Sequence, residues 1–439
     1  MSAEKAIEIR LVRWSKIRPS QVVSDFLKRP AFDEQAEAVA RQVLEEIRRE
    51  GDAAVARAVA RFDGANLPPE KFAATTDEIK AALAEVDTEF KRAATEAHKR
   101  IVRFAEAGLR KDWTISTLKG GVLGEQFIPL ARVGCYIPAG AAPLASTVLM
   151  TVTLARVAGV QEIVACTPVD RLGKINPYIL YALQLSGATE IYKVGGIQAI
   201  GAMAYGTQTI RKVQKIVGPG GPYVTAAKRL VYGQVDLDLV AGPSEIAILA
   251  DDSVPAEYVA ADLLSQAEHG TGHEKALLVT PSNKLAEAVR RELVRQMEGL
   301  KRQEMVRKVL ETGTLLVVVD NLDVGMELCN QFAPEHMEIL AEEPRRWVKK
   351  VKTAGAVFVG AWTPECVGDF VAGPSHVLPT GGTAAVFSGL TVEEFRRRMS
   401  MISLTRADLI SVLPVIEAFG RVEQLDAHTR SAKIRFEKI

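Results

Sequence analysis

The chain has 439 residues, 48% of them apolar and 25% charged, enough for two or more domains with sizeable cores. Its 55 Lys and Arg nearly balance 54 Asp and Glu, so no field of one sign recruits nucleic acid or an anionic membrane, and a small-molecule partner is expected. Cys135, Cys166, Cys329 and Cys366 form no C-x-x-C pair, the N-terminus lacks an apolar core of signal-peptide length, and the apolar run from Val148 to Val160 is broken by Arg156. A cytoplasmic protein with reduced, buried thiols is the expectation.

In chain order, the first hundred residues read as helices. Val39, Val43 and Ile47 recur every four residues up to Gly51, Asp52 is placed as the cap of a second helix, and Phe90, Ala94, Ala97, Ile101 and Phe104 stripe a third. His98, between Ala97 and Lys99, is assigned to a solvated face. From about Arg132 short apolar segments closed by Gly or Pro (RVGCYIP, EIVACTP, EIYKVGG, KIVGPGG) alternate with helix-length ones such as STVLMTVTLARVAG, where Ser146 is the expected cap, and NPYILYALQLSG. Beyond 241 the alternation continues: IAILAD, a helix near 255–267, KALLVT, a helix over 283–297, TLLVVVD and GAVFVG. Strands separated by helices are parallel, because only a crossover returns the chain to the same edge. Their number exceeds one compact sheet, so two doubly wound α/β domains are expected. No G-x-G-x-x-G occurs, so a nucleotide site has no glycine fingerprint to rest on.

Four of the six histidines sit in short motifs that mix carboxylates, amides and glycines. In ADLLSQAEHG, Asp262, Gln266 and His269 share a face if the segment is helical, and the pair Gln266 and His269 reads either as half of a metal site or as a helix end capped by its histidine. In APEHMEIL, Glu335 and His336 follow Pro334, which breaks a helix, so an extended segment can present both to one substrate. ECVGDFVAGPSHVLPT offers Asp369 and His376 in a loop, and EQLDAH offers Glu423, Asp426 and His428. A Gln, two His and an Asp suit a borderline metal such as zinc. A zinc hydrolase would use the same ligand types with a Glu base but needs no nucleotide.

The segments RVGCYIPAGAAPLASTVLM, VGGIQAI, GPGGPYVTAAKR, DLVAGPSE, DLLSQAEHG, APEH, GDFVAGPSHVLPT and EQLDAH, in this order from about Ala36 onward, resemble the histidinol dehydrogenase family. The resemblance implies an NAD-dependent, zinc-containing homodimer that oxidises L-histidinol to L-histidine in two hydride transfers. A relative on the same scaffold that oxidises another primary alcohol, such as a sulfonated diol, is the alternative. Carried over, Gln266, His269 and Asp369 match the zinc ligands of one subunit and His428 the ligand donated by the other. Glu335 and His336 match the acid–base pair, Ser244, His376 and Glu423 match positions that hold the substrate, and Tyr136 and Gln198 match positions touching NAD. Gly221 stands where the family's G-P-G-N turn has its Asn. The implied organisation is a small helical N-terminal extension (1–30), a first Rossmann-like domain with the zinc and acid–base residues (31–134 and 244–390), a second on the NAD side (135–243), and a small helical C-terminal extension reaching the partner (391–439).

Overall fold

The computed structural model describes residues 7–29, 34–139, 142–239, 242–269 and 272–437. Parts of PAGAAP and DLVAGPSE, and the Gly270 that closes ADLLSQAEHG, lie outside the described residues. Contacts divide the chain into two compact units, one of Met1–Gly108 with Leu130–Phe395 and one of Leu109–Pro129 with Arg396–Ile439.

The strands, in chain order, are β1 (Arg10–Arg13), β2 (Trp113–Ser116), β3 (Val122–Pro129), β4 (Arg132–Tyr136), β5 (Glu162–Cys166), β6 (Glu190–Tyr192) and β7 (Lys215–Val217). They continue with β8 (Asp236–Leu237), β9 (Glu245–Ala250), β10 (Lys275–Thr280), β11 (Thr314–Val318), β12 (His336–Leu340), β13 (Ala356–Val359) and β14 (Arg396–Ser403). The first unit holds two parallel sheets, ordered β1-β11-β10-β9-β12-β13 and β6-β5-β4-β7-β8. In each, three consecutive strands are laid to one side and the chain then returns past the first of them, the doubly wound order expected from the alternation of strands and helices.

The sheets are apolar on both faces, as helices on both sides require. On β9, Ile246, Ile248 and Ala250 join the core cluster of Val259, Leu263 and Leu293, whereas Ala247 and Leu249 join Leu277, Val279 and Phe332 on the other face. Helix starts follow side-chain caps at Asn176, Ser282 and Asn321. Two assigned caps are corrected. The helix Ala145–Val157 starts one residue before Ser146, with no side-chain cap at Leu144. The helix Asp52–Phe62 is preceded by Gly51 at φ 59°, and the Asp52 carboxylate accepts from the Thr209 hydroxyl at 2.6 Å instead of capping. His98 is half-buried in the helix Thr88–Gly108, not solvated, and burial lowers its pKa.

Strand β1, inside the stretch read as helical, lies at the edge of the six-stranded sheet, pairing Arg10–Arg13 with Leu315–Val318. The second unit is an antiparallel sheet, β14-β3-β2, with the helices Arg406–Val422 and Asp426–Lys433. None of its three strands was expected. Residues of β2 are exposed throughout and those of β14 nearly so, which leaves no buried face to imprint an alternation on the sequence.

Candidate active site

Strands β9 and β12 are neighbours at the point where the chain reverses direction across the six-stranded sheet, with His336 paired to Ile246. At their carboxyl ends, where doubly wound sheets usually bind ligands, Asp251 bridges the gap: its N–H donates to Leu340 O and its carboxylate accepts from Glu342 N. The chemistry gathers instead at the amino ends. Glu335 precedes β12 and Ser244 precedes β9, in the extended geometry expected for the Glu–His pair. Gly355 permits the approach of β13, because a Cβ there would stand 2.6 Å from the Glu335 carbonyl.

The Glu335 Oε2 accepts from the Ser244 hydroxyl at 2.5 Å and from the Glu245 N–H at 2.9 Å. Burial pushes the Glu335 pKa well up, and these two hydrogen bonds pull against it. His336 Nδ1 lies 3.1 Å from the Glu245 carbonyl and 3.1 Å from Gln266 Oε1. Both partners are acceptors, so Nδ1 carries the proton and Nε2 the lone pair. Burial lowers the His336 pKa to about 4, against the pull of the Asp369 charge.

Facing Nε2 at 3.7 Å is Glu365 Oε1. Glu365 precedes the short helix Cys366–Phe370, which carries Asp369, so Asp369 sits on a helical turn and not in the expected loop. Asp369 lies 3.7 Å from His269 Nε2 and 3.6 Å from His376 Nδ1, and ligand atoms of His269, Glu365 and Asp369 fall within 4.8 Å of one another. The Glu365 pKa rises to about 8, through burial first and the Asp369 charge next. Two carboxylates held together beside an imidazole fit a divalent cation, which would relieve their repulsion. Gln266 is fully buried at the last turn of the helix Ala256–Ala267, its Oε1 toward His336 and its Nε2 without a hydrogen-bond partner among the described residues. His269 lies just past that helix, its N–H reaching Gln266 O, so the two do not share a continuous helical face.

His376 Nε2 also stands 3.3 Å from the Thr147 hydroxyl, which brings the helix that follows β4 to the cluster. Sequence reasoning missed Thr147, Glu365 and the buried Glu338, which lies beside Asp262. The signals were present: Glu365 and Asp369 have helical i, i+4 spacing, and Glu338 is a carboxylate inside an apolar strand. Glu423 and His428 belong to the second unit, where both are exposed on either side of the turn at Gln424, φ 58°.

The three residues matched to NAD cluster at the carboxyl end of the five-stranded sheet. Tyr136 ends β4, Gln198 lies in the helix Gly196–Tyr205, and Gly221 caps the helix Pro222–Val231. A Cβ on Gly218 would stand 2.1 Å from Tyr136 O, so the turn after β7 needs glycine, whereas Gly221 has open space where a side chain would go. Tyr136 and Gln198 are both buried; the Tyr136 hydroxyl accepts from Gly196 N–H, and Gln198 Oε1 has no hydrogen-bond partner among the described residues. A cavity of about 760 Å³ opens beside them, lined by Asp63, Ala139, Pro168, Lys174 and Lys193 among others.

Asp63 accepts from Gln198 Nε2 at 3.1 Å, and burial raises its pKa to about 6 despite that bond. The unfolded carboxyl ionises near pH ~4, so folding loses stability as pH rises from there to about 6, and the loss is complete above. Asp63→Asn keeps an acceptor without the charge. Its unfolding free energy from urea titration should exceed that of the parent chain at pH 7.5 by about 1 kcal/mol after solvent screening, with a correspondingly higher urea midpoint, and should converge on it below about pH 4. Equal midpoints at pH 7.5 would contradict the burial cost.

A doubly wound α/β frame with a buried Glu–His pair beside an imidazole–carboxylate cluster is an arrangement suited to proton transfer next to a candidate cation site. The comparisons are specific about the family. The sequence profile described as histidinol dehydrogenase matches residues 27–436. The chain is 44% identical over 431 residues to the histidinol dehydrogenase of Heliobacterium mobile, covering 98% of this chain and 100% of that one. It is 45% identical over 397 residues to that of Moorella thermoacetica, covering 90% and 93%. The crystal structure of histidinol dehydrogenase from Elizabethkingia anophelis superposes with a TM-score of 0.92 at 35% identity, covering 98% of both chains. The chain belongs to the histidinol dehydrogenase family, an oxidoreductase family, and the match begins before Ala36, in the segment where the motifs are silent.

Proposed function

We propose that this chain oxidises L-histidinol through L-histidinal to L-histidine with two NAD, and that Glu335 and His336 are its acid–base pair. The observation that carries the reading is the His336 tautomer: two acceptors fix the proton on Nδ1 and leave Nε2 free, facing the Asp369 cluster, to accept the substrate hydroxyl proton. Glu335, held by Ser244 and the Glu245 N–H, is placed to take a proton from the water that adds to the aldehyde before the second hydride leaves. Ser244, His376 and Glu423 hold the substrate. Gln266, His269 and Asp369 with His428 of the partner subunit would hold zinc, which when bound keeps the amine and imidazole nitrogens of histidinol in place. Tyr136, Gln198 and Gly221 would contact NAD, which accepts the hydride. The six-stranded sheet with residues 244–390 would then be the domain of the acid–base chemistry, joined by Arg10–Arg13 of the N-terminal segment, and the five-stranded sheet that of the nucleotide; the expected boundary at 134 falls inside β4, and the helices over 34–62 pack into the core of the five-stranded sheet. A homodimer is supported by the helix Arg406–Val422, which exposes Ile410, Val412, Val415, Phe419 and Val422, an apolar surface that a second copy would cover. Among the described residues no helix is long and apolar enough to cross a membrane, which agrees with a cytoplasmic enzyme.

The test is stoichiometry: supplied with L-histidinol and NAD, the chain should form two NADH per substrate with histidine as product. No turnover of histidinol beside turnover of another primary alcohol would transfer the function to that substrate. Removal of metal separates chemistry from fold. A chelator should abolish oxidation yet leave the melting transition cooperative, because the proposed ligands lie outside the apolar sheet cores formed by the described residues. Full activity in protein shown to be metal-free would overturn the zinc assignment.

A further inference from the structure

Arg29, near the end of the N-terminal segment, is almost wholly buried, its side chain 7% exposed. Its guanidinium meets the Glu245 carboxylate, itself 3% exposed, at 2.6 Å. It also donates to the Phe332 carbonyl and lies over the Phe332 ring, 4.0 Å from the centroid. A buried ion pair is a poor way to add stability, since two charges must leave water, and it is more informative as a device that fixes geometry. What it joins is specific. Glu245 is the first residue of β9, and its main chain holds both proposed acid–base groups, donating to Glu335 Oε2 and accepting from His336 Nδ1. Phe332 ends the helix Leu322–Phe332, and its carbonyl stands three residues before Glu335, with Ala333 between them at φ 45°, a conformation that residues with a Cβ rarely adopt.

We infer that Arg29 is a positioning residue for the reaction: by tying the Glu245 carboxylate to the Phe332 carbonyl it fixes the spacing of the two segments that carry Ser244 and the Glu335–His336 pair. The inference rests on the acid–base reading above. It gives the N-terminal segment, outside both strand–helix alternations, a task at the site.

The test compares full-length Arg29→Ala, Arg29→Lys and His336→Asn with the parent chain. Arg29→Ala should lower kcat about tenfold or more, for histidinol and histidinal alike, because misplacement of the pair affects both proton transfers. Its KM for NAD should stay within about twofold, and its melting transition should remain cooperative. Guanidinium chloride at low millimolar concentration, far below denaturing levels, should restore part of the lost kcat. A folded Arg29→Ala with kcat within about twofold of the parent, while His336→Asn is nearly inactive, would overturn the inference. If His336→Asn itself turned over normally, the acid–base reading would fall, and the brace with it. Should Arg29→Ala not fold, Arg29→Lys carries the test. It keeps the charge beside Glu245 but not the planar fork that spans carboxylate and carbonyl, so kcat should fall several-fold; parental kcat would refute the brace.

Discussion

Replacing His336 by Asn is expected to lower turnover with histidinol by about a hundredfold or more. The substitution removes the only nitrogen at this position able to accept a proton, and little else. An Asn Nδ2–H at the start of β12 can still donate toward the Glu245 carbonyl or Gln266 Oε1, the two acceptors that His336 Nδ1 meets now. Burial makes the histidine a weak base, with its pKa lowered to about 4, yet burial also keeps it neutral at pH 7, so every molecule has an open acceptor. Glu335→Gln should behave differently. Both hydrogen bonds to Oε2 can survive on the amide oxygen, so the fold and alcohol oxidation are spared more than aldehyde oxidation, which needs an activated water. Rates measured separately with histidinol and histidinal resolve the roles: an equal fall in both half-reactions would remove water activation from Glu335, and undiminished turnover of His336→Asn would remove the histidine as base.

How far this site could be read without coordinates depended on whether its parts were local. The strand KALLVT and the helix over 283–297 fall where the sequence puts them, because buried parallel strands and amphipathic helices write their burial into consecutive residues. The pairing of Glu335 with His336 in an extended segment was legible from Pro334 alone. Gln266 and His269 were legible as neighbours, but not the turn between them: the helix ends at Ala267, with Gln266 Oε1 toward His336 and His269 Nε2 toward Asp369. Glu365 went unread despite its i, i+4 spacing from Asp369, because its other neighbour, His336, comes near only when β12 and the helix Cys366–Phe370 are brought together. Arg29 and Glu245 are another such case: no periodicity links an arginine near the N-terminus to the first residue of β9. Strand β14, RRRMSMIS, was illegible for the opposite reason. Its pairing with β3 is main-chain hydrogen bonding along all eight residues, and its side chains are too exposed to show a pattern.

Mixing two inactive variants is expected to restore activity. His428 and His269 lie on different compact units, and His269 belongs to the cluster formed with Glu365 and Asp369. The unit that carries His428 is an exposed three-stranded sheet with two helices, and the apolar residues of the helix Arg406–Val422 lie open rather than in a core of their own. Such a surface is stabilised when a second copy covers it, and a symmetric dimer would then present each His428 to the partner's metal cluster. His428→Ala and His269→Ala homodimers would each lack one ligand at both sites. In a mixed dimer the two defects fall on one site and leave the other whole. With random reassortment half of the dimers are mixed and each has one working site, so activity should return to roughly a quarter of the parent value. The zinc content of the mixture should rise in step with activity, because the intact site alone holds the full ligand set. Mass spectrometry of differently tagged chains would establish that subunits had exchanged. An exchanged mixture that stays inactive would mean that His428 serves its own chain or no metal at all, and the shared site would be abandoned.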